Sequence, residues 1–496
     1  MRRAEDKEFA IKTRAEGTSR QSWLYGEIRS AVLGGQLQKG ARLPPSRDIA
    51  RQHSVARGTV QAVYAQLIAE GYLVGKVGKG TFVSESLPSG TRLPQSSRVA
   101  MGGALGRLSK RGAMLANTPF AVAGRPNPAR VFRPNQPDLK LFPFALWNRI
   151  AARRARLSQR SLLADGEAKG YLPLRESIAE RIRYSLRIDA CPEQIFILGS
   201  VQQTFDLCSR LLLDSGDPVW MEDPGYPGAR RIFESNGAMV IGVPVDEDGM
   251  DVEAGIELAP EARLAYVTPS RQTPLGMPLS LDRRLALLNW AKKANAVVIE
   301  DDYDSEYRFL SNPLPALKSL DAFGRVIYAG TFSKLLCPSL RLSYAVVPDW
   351  LIDPFAAALS LTCRHMSLLP QVVLHEFMAE GHFGRHIRHM RTVYGERAEQ
   401  FQQAVTSRLD GLLTIPPITS GIDTAALLPD GADDDAIAKF LADAGIETRP
   451  LSAYRVSAVP AAGLVMGFAP FDRNEIISGV GDLARQLECV VPPGCV

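Results

Sequence analysis

Lys334 lies in a segment whose residue types indicate chemistry. The segment GTFSKLLCPSLRLSY follows a strand-like apolar run and brings Thr331, Ser333 and Arg341 close to this lysine in the sequence. Upstream, the run VVIEDDYDSEY ends in acidic side chains. At least one carboxylate is therefore predicted at the carboxyl end of a strand, where ligands of α/β proteins bind.

An amine beside hydroxyls, an arginine and an upstream carboxylate is the set of groups that pyridoxal phosphate requires. The lysine forms a Schiff base with the aldehyde, an aspartate keeps the pyridine nitrogen protonated, and the arginine and hydroxyls hold the phosphate. A lysine considered alone is more often a surface residue, so the prediction depends on the ordered set.

The N-terminal region predicts a second kind of site. Helical spacing of apolar residues covers 19–35, Ser46–Gln52 and Gly58–Glu70, with Ser46 as an N-cap, and YLVGKVGKGTFV predicts a β-hairpin. This order of elements is typical of a winged helix-turn-helix. The alternative is a small helical domain that docks on another protein.

A recognition helix reads the major groove with side chains of its first turn. The residues predicted to contact double-stranded DNA are Arg57, Thr59 and Gln61 in the recognition helix, Ser46 and Arg47 at the start of the preceding helix, and Lys76 and Lys79 in the wing.

The charge distribution agrees with a polyanionic partner for the N-terminal region. Residues 1–92 carry 15 Lys and Arg against 8 Asp and Glu, and residues 93–133 carry 7 basic residues and no acid. The remaining chain has 36 basic against 45 acidic residues. Charge alone also permits a basic tail without a function.

Composition divides the rest of the chain. Residues 85–130 are rich in Ser, Gly, Pro and Arg and are predicted to be a flexible basic linker after a DNA-binding domain at 18–84. Residues 131–496 alternate short apolar runs with helical stretches, which predicts a doubly wound α/β domain. After about residue 365, longer helices and few strands indicate a smaller α+β subdomain.

Composition also excludes several classes of protein. Hydrophobic residues make up 46% and charged residues 22%, and no run is long and apolar enough to span a membrane. The charged N-terminus lacks the apolar core of a signal peptide. The 6 cysteines include no C-x-x-C pair, so neither a disulfide framework nor a metal site is indicated. A cytoplasmic protein is expected.

The segments resemble two known families. LPPSRDIARQHSVARGTVQAVYAQLIAEGYLVGKVGKGTFV resembles the GntR-type winged helix, and FRPNQPDLKLFPFALWNR, EDPGYPGAR and TPSRQTPLGMPLS resemble fold-type I aminotransferases. Together they resemble the MocR family of regulators. The implied fold is mixed α/β: a winged helix-turn-helix followed by a pyridoxal-phosphate-dependent aminotransferase-like domain with a smaller C-terminal subdomain.

This resemblance implies roles for individual residues of the aminotransferase-like domain. Lys334 resembles the Schiff-base lysine, Asp301 the partner of the pyridine nitrogen, Tyr303 the donor to the phenolic oxygen, and Tyr226 the aromatic residue that stacks on the ring. The implied phosphate site consists of Ser200, Val201 and Gln202 at a helix N-terminus, with Ser333 and Arg341.

The chain departs from the aminotransferase pattern in three places. The usual N-P-x-G turn reads Thr273-Pro274-Leu275-Gly276, and Ser200 stands at a glycine position of the phosphate loop. Near the C-terminus, GLVMGFAP lacks the arginine that binds a substrate carboxylate. Arg449 and Arg230 are the candidates for binding an acidic effector group instead.

Two functions remain open on the sequence. In the first, a homodimeric transcription regulator binds pyridoxal phosphate, senses an amine or amino acid through it, and changes how it holds operator DNA. In the second, a working aminotransferase carries an accessory DNA-binding domain. The missing carboxylate arginine favours the first, because efficient turnover needs a well-oriented substrate. The complete winged helix-turn-helix pattern also favours the first.

Overall fold

The computed structural model describes residues 17–86, 108–116, 118, 120, 130–157, 164–309, 315–457 and 462–490. The chain divides into two compact units, Met1–Arg107 and Leu108–Val496, which we call the head and the body. Most of the predicted linker at 85–130 lies outside the described residues.

The head combines three helices with a hairpin. Its elements are α1 (Arg20–Leu33), α2 (Ser46–Gln52), α3 (Arg57–Ala69), β1 (Leu73–Lys76) and β2 (Gly80–Val83). β1 and β2 pair antiparallel with Leu73 opposite Val83. Apolar residues of all three helices and the hairpin form one core. This order confirms the predicted winged helix-turn-helix.

The helix ends of the head follow local signals, with one difference from the prediction. Ser19 precedes α1, and its Oγ accepts a hydrogen bond from the amide of Ser22 at 3.1 Å. Ser46 is not an N-cap, because it is the first residue of α2 and Pro45 holds the cap position. The ring of Pro45 fixes φ at −57° while ψ is 146°, so the chain stays extended until that residue.

The body is built on one large mixed sheet. Its strands are β3 (Ile195–Leu198), β4 (Pro218–Asp223), β5 (Met239–Asp246), β6 (Gly249–Met250), β7 (Leu264–Val267), β8 (Val297–Asp302), β9 (Val326–Thr331) and β10 (Ser343–Val346). In the described part of the chain their order is β3-β10-β9-β8-β7-β4-β5-β6. The pairs from β9 to β5 are parallel, and β10 is antiparallel to both neighbours.

Helices pack on this sheet, as buried parallel strands require, and on the smaller sheet of the body. They are α4 (Lys110–Ala116), α5 (Phe144–Leu157), α6 (Leu172–Leu186), α7 (Val201–Leu212), α8 (Pro227–Ser235), α9 (Val252–Leu258), α10 (Leu281–Ala294), α11 (Ile352–Cys363), α12 (Leu368–Ala379), α13 (His382–Arg408), α14 (Asp434–Asp443) and α15 (Arg473–Val490). Over the residues searched, no helix has the length and apolar character needed to cross a membrane.

A smaller sheet occupies the C-terminal part of the body. It consists of β11 (Asp423–Leu427), β12 (Arg449–Pro450) and β13 (Gly463–Gly467), in the order β11-β13-β12. β13 pairs antiparallel with both neighbours. Together with the long helix α13 and with α14 and α15, this sheet is the predicted α+β subdomain.

The helix α4 lies inside the segment predicted to be a flexible linker. The amide of Gly112 donates to Ser109 Oγ at 3.0 Å and so begins the helix, and Arg111 donates to the carbonyl of Asn236 at 3.3 Å. The segment is too short to show a helical apolar period, and none of its residues is buried. The linker prediction did not include this helix.

Truncating Leu67 is expected to destabilise the head. Its side chain is 0% exposed in the head core, so Leu67→Ala should lower the free energy of unfolding by about 2–5 kcal/mol. Ile68→Ala is the matched control, because Ile68 is 39% exposed on the same helix. Hydrogen exchange of the full chain, read on peptides from α1 and α3, measures the difference. Equal acceleration of exchange in both variants would contradict this packing.

Candidate functional site

Two neighbouring strand ends bring together the predicted lysine and aspartate. β8 and β9 are parallel and adjacent, with Asp301 opposite Ala329. β9 ends at Thr331, and Lys334 lies three residues further along the chain. Both side chains therefore lie at the carboxyl edge of the sheet, where α/β proteins bind ligands.

Asp301 presents one free carboxylate oxygen. Its Oδ2 accepts a hydrogen bond from the hydroxyl of Tyr266 at 2.6 Å. Its Oδ1 is buried and has no hydrogen-bond partner among the described residues. The pKa of Asp301 is raised to about 7, because burial raises it by more than the Tyr266 hydrogen bond and the charge of Lys334 lower it. A cationic donor placed at Oδ1 would satisfy both the oxygen and its charge.

Lys334 lies in a partly buried, charged environment. Its Nζ lies 4.8 Å from the ring centre of Tyr303. Burial lowers the pKa of the amine, while the negative charges of Asp423, Asp304 and Asp301 raise it. A lowered amine pKa increases the neutral fraction, which is the form that attacks an aldehyde.

Tyr303 is held by an arginine that the sequence did not single out. Arg271 Nη1 donates to the hydroxyl of Tyr303 at 2.9 Å, and that hydroxyl donates to the carbonyl of Arg271 at 3.1 Å. Arg271 also pairs with Asp304 at 3.3 Å and with Asp423 at 3.2 Å. Thr273, from the departing T-P-L-G turn, lies near enough to lower the pKa of Tyr303. These contacts fix the orientation of the tyrosine hydroxyl.

The predicted phosphate loop and stacking tyrosine contact each other. Ser200 is the N-cap of α7, and its side chain caps no amide. The amides of Val201 and Gln202 lie in the first helical turn, where amides have no intrahelical acceptor and favour an anion. Gln202 Nε2 donates to the hydroxyl of Tyr226 at 2.9 Å. The charge of Asp301 also raises the pKa of Tyr226, so this loop, Tyr226, Asp301, Tyr303 and Lys334 form one group, which we call the pocket.

The other two predicted phosphate ligands are Ser333 and Arg341. Ser333 is partly buried, and its amide donates to Thr331 Oγ1 at 3.1 Å. Arg341 is exposed in a left-handed conformation with φ of 49°. It forms no hydrogen bond or ion pair with any residue that the structure describes.

The two effector-binding candidates differ in their surroundings. Arg449 is exposed on β12 opposite Val465. Burial raises the pKa of Tyr226 and of Tyr454, and the charge of Arg449 lowers the pKa of both hydroxyls. Arg230 is already bound by Glu234 at 2.7 Å and by the carbonyl of Arg455. Arg449 is therefore the better candidate for binding an acidic ligand group near the pocket.

Asn135 is a pocket residue that sequence reasoning missed. It adopts a left-handed φ of 64°, and its Oδ1 accepts a hydrogen bond from Lys334 Nζ. Its backbone amide donates to Asp423 Oδ2 at 3.0 Å. The sequence offered one signal. Asn135 follows a proline, and asparagine tolerates a left-handed backbone conformation better than most residues.

The predicted DNA contacts lie mostly on the exposed surface of the head. Arg57 and Gln61 are exposed one turn apart in α3, and Thr59 is partly buried. The opposite face of α3 is buried through Val60, Val63, Tyr64 and Leu67. Arg47, Lys76 and Lys79 are exposed, whereas Ser46 is partly buried.

Two family models match the chain. Residues 21–83 match the model of bacterial regulatory proteins, gntR family. Residues 137–463 match the model of aminotransferase class I and II. The two matches correspond to the head and to most of the body.

Individual proteins resemble the chain over most of its length. The chain is 38% identical over 461 residues to the probable rhizopine catabolism regulatory protein MocR of Rhizobium meliloti, which covers 93% of this chain and 92% of that protein. It is 31% identical to the pyridoxine biosynthesis regulator PdxR of Corynebacterium glutamicum, covering 93% and 94%.

A solved structure resembles the chain as well. It is LysN, an alpha-aminoadipate aminotransferase of Thermus thermophilus complexed with N-(5'-phosphopyridoxyl)-L-leucine. It has a TM-score of 0.68 and 30% identity, covering 73% of this chain and 92% of that one. Because the match to MocR spans head and body together, the chain belongs to the MocR family of HTH-type transcriptional regulators, with a gntR-family head and an aminotransferase class I and II body.

Proposed function

We propose that this regulator binds pyridoxal phosphate in the body, senses an amine or amino acid there, and changes the affinity of the head for operator DNA. The observation that carries the proposal is the buried, unpartnered Oδ1 of Asp301 at the same sheet edge as Lys334. Aminotransferases of class I and II normally bind pyridoxal phosphate, and the solved LysN structure holds a phosphopyridoxyl compound.

The residues of the pocket fit this cofactor. Asp301 Oδ1 would accept a hydrogen bond from the protonated ring nitrogen, and the ring of Tyr226 would stack on the cofactor ring. Tyr303 would donate to the phenolic oxygen, and Lys334 would bind the aldehyde carbon. When bound, pyridoxal phosphate supplies an aldehyde carbon that bonds amines reversibly and a ring that withdraws electrons.

The phosphate would bind at the N-terminus of α7. Ser200, Val201 and Gln202 would donate hydrogen bonds there, and the positive end of the helix dipole favours a phosphate anion. Ser333 and Arg341 are the further proposed ligands. Arg341 would have to turn toward the phosphate, because in this structure it is exposed.

The effector is proposed to be a small amine or amino acid. Its amine would react at the aldehyde carbon that Lys334 occupies, and Arg449 would bind a carboxylate, if the effector has one. Arg230 is a weaker candidate because Glu234 neutralises it. β13 contains no arginine, which favours sensing over efficient transamination.

We further propose that the regulator is a homodimer that presents two heads to the operator. Arg57, Thr59 and Gln61 would read base edges in the major groove. Ser46 and Arg47 would bind the sugar–phosphate backbone, and Lys76 and Lys79 would bind DNA through the wing.

The DNA contacts predict two different mutational effects. Arg57→Ala should cost about 1–3 kcal/mol at the operator and relax its sequence preference, because a base contact is lost. Arg47→Ala should weaken binding to all sequences alike and reduce the salt dependence, because a phosphate contact is lost. Binding measured across a salt series distinguishes the two. Gln66→Ala, exposed near the end of the same helix as Arg57, is the control and should change neither.

The coupling of body and head is tested by effector titration. The full chain is loaded with pyridoxal phosphate and titrated with L-amino acids and short ω-amino acids, following the cofactor absorbance with and without operator. Operator should change the affinity for the active compound about 5–150-fold, the range of typical coupling energies, and the compound should change operator affinity equally.

Lys334→Ala is the variant for this titration and should lose both the covalent absorbance band and the coupling. Equal effector affinities with and without operator would contradict regulation through this pocket. If the same compounds are also turned over to keto acids, the accessory-domain aminotransferase becomes the better description.

A further inference from the structure

Asn135 provides an acceptor for the amine of Lys334. Its Oδ1 accepts a hydrogen bond from Lys334 Nζ. The other groups that act on this amine are charged or aromatic. Asp423, Asp304 and Asp301 raise its pKa and Arg271 lowers it, while the ring of Tyr303 lies 4.8 Å away. Asn135 is thus a neutral acceptor within a set of charges.

The segment that carries Asn135 is fixed at both of its ends. Arg133 pairs with Glu447 at 2.6 Å, and Asp138 pairs with Arg397 at 2.8 Å. The carbonyl of Phe132 accepts from the amide of Gly467 at 2.8 Å. The side chain of Asn135 is therefore presented from a rigid part of the backbone.

Asn135 also connects two parts of the pocket. Its backbone amide donates to Asp423 Oδ2 at 3.0 Å, and its side chain lies near enough to Tyr454 to lower the pKa of that hydroxyl. The charge of Arg449 also acts on Tyr454. Asn135 therefore acts on both the lysine amine and Tyr454, the tyrosine whose pKa the charge of Arg449 also lowers.

Exchange of amines at the cofactor requires a place for the lysine. An effector amine would become doubly bonded to the aldehyde carbon, the double bond from that carbon to Lys334 Nζ would break, and two hydrogens would pass from the effector nitrogen to the lysine nitrogen. The lysine thus leaves as a free amine with more N–H donors than before. A free amine in a partly buried pocket needs an acceptor, since an unsatisfied donor costs free energy.

We propose that Asn135 receives the amine of Lys334 when an effector displaces it, and that this hydrogen bond sets the effector affinity. The inference rests on the proposed function and adds a specific positioning residue to it. Asn135 favours the effector-bound protein, because its oxygen holds the lysine in the released position.

The test is Asn135→Gly in the full chain loaded with pyridoxal phosphate. Glycine adopts a φ of 64° without strain, so the substitution removes the side chain and keeps the backbone. The amino acid found active in the wild-type titration is the probe, and cofactor absorbance is the readout. Its affinity should fall about tenfold, as expected for losing a hydrogen bond to an amine, while the affinity for pyridoxal phosphate should not fall, because the same hydrogen bond stabilises the free lysine of the cofactor-free protein.

Asn135→Asp is the matched variant, because it retains an acceptor oxygen and a side chain of similar shape. It should bind the amino acid at least as tightly as the wild type, which a loss of local structure would not explain. Wild-type effector affinity in Asn135→Gly, or equal losses of cofactor and effector affinity, would overturn the inference. A wild-type protein without any absorbance response would instead overturn the proposed function.

Discussion

A buried carboxylate with an unpartnered oxygen is the constraint on which the body depends. An anionic oxygen without a donor is costly in a protein interior, yet Asp301 is placed on a central strand, with only Tyr266 bound to its other oxygen among the residues described. The parallel pairing of β8 and β9 puts Lys334 near it. A cationic ring nitrogen at Oδ1 would compensate this cost, which is why we propose this pocket as the cofactor site.

A second group of buried charges contacts Tyr303. Arg271 bridges Asp304, which follows β8, and Asp423, which begins β11. The large sheet and the C-terminal sheet are thereby joined by ion pairs that also orient Tyr303. Removing one partner would leave an uncompensated buried charge, which is strongly destabilising. The same contacts thus stabilise the fold and shape the site.

The sequence predicted the features that depend on local pattern. The head elements, the strands that end at Asp302 and Thr331, and the lysine after β9 all follow from apolar periodicity and adjacent polar residues. The family match bears out the winged helix and the aminotransferase-like body, whereas the roles of single residues stay predictions.

Features that depend on long-range contacts were not predictable in this way. Asn135 meets Lys334 although 199 positions separate them, and Arg271 meets Asp423 across 152. No periodicity encodes such pairs, and a lone asparagine or arginine is usually a surface residue. The helix Lys110–Ala116 was missed because it buries no apolar face, and the capping role predicted for Ser46 was wrong because Pro45 takes that position.

The protonation state of the cofactor ring nitrogen reports on the role proposed for Asp301. Pyridoxal phosphate labelled with ¹⁵N in the ring is bound to the full chain, and the nitrogen chemical shift is measured by NMR spectroscopy. We expect a protonated nitrogen in the wild type, stabilised by the opposite charge of Asp301, and an unprotonated one in Asp301→Asn. An unprotonated nitrogen in the wild type, or the same shift in both proteins, would contradict that role.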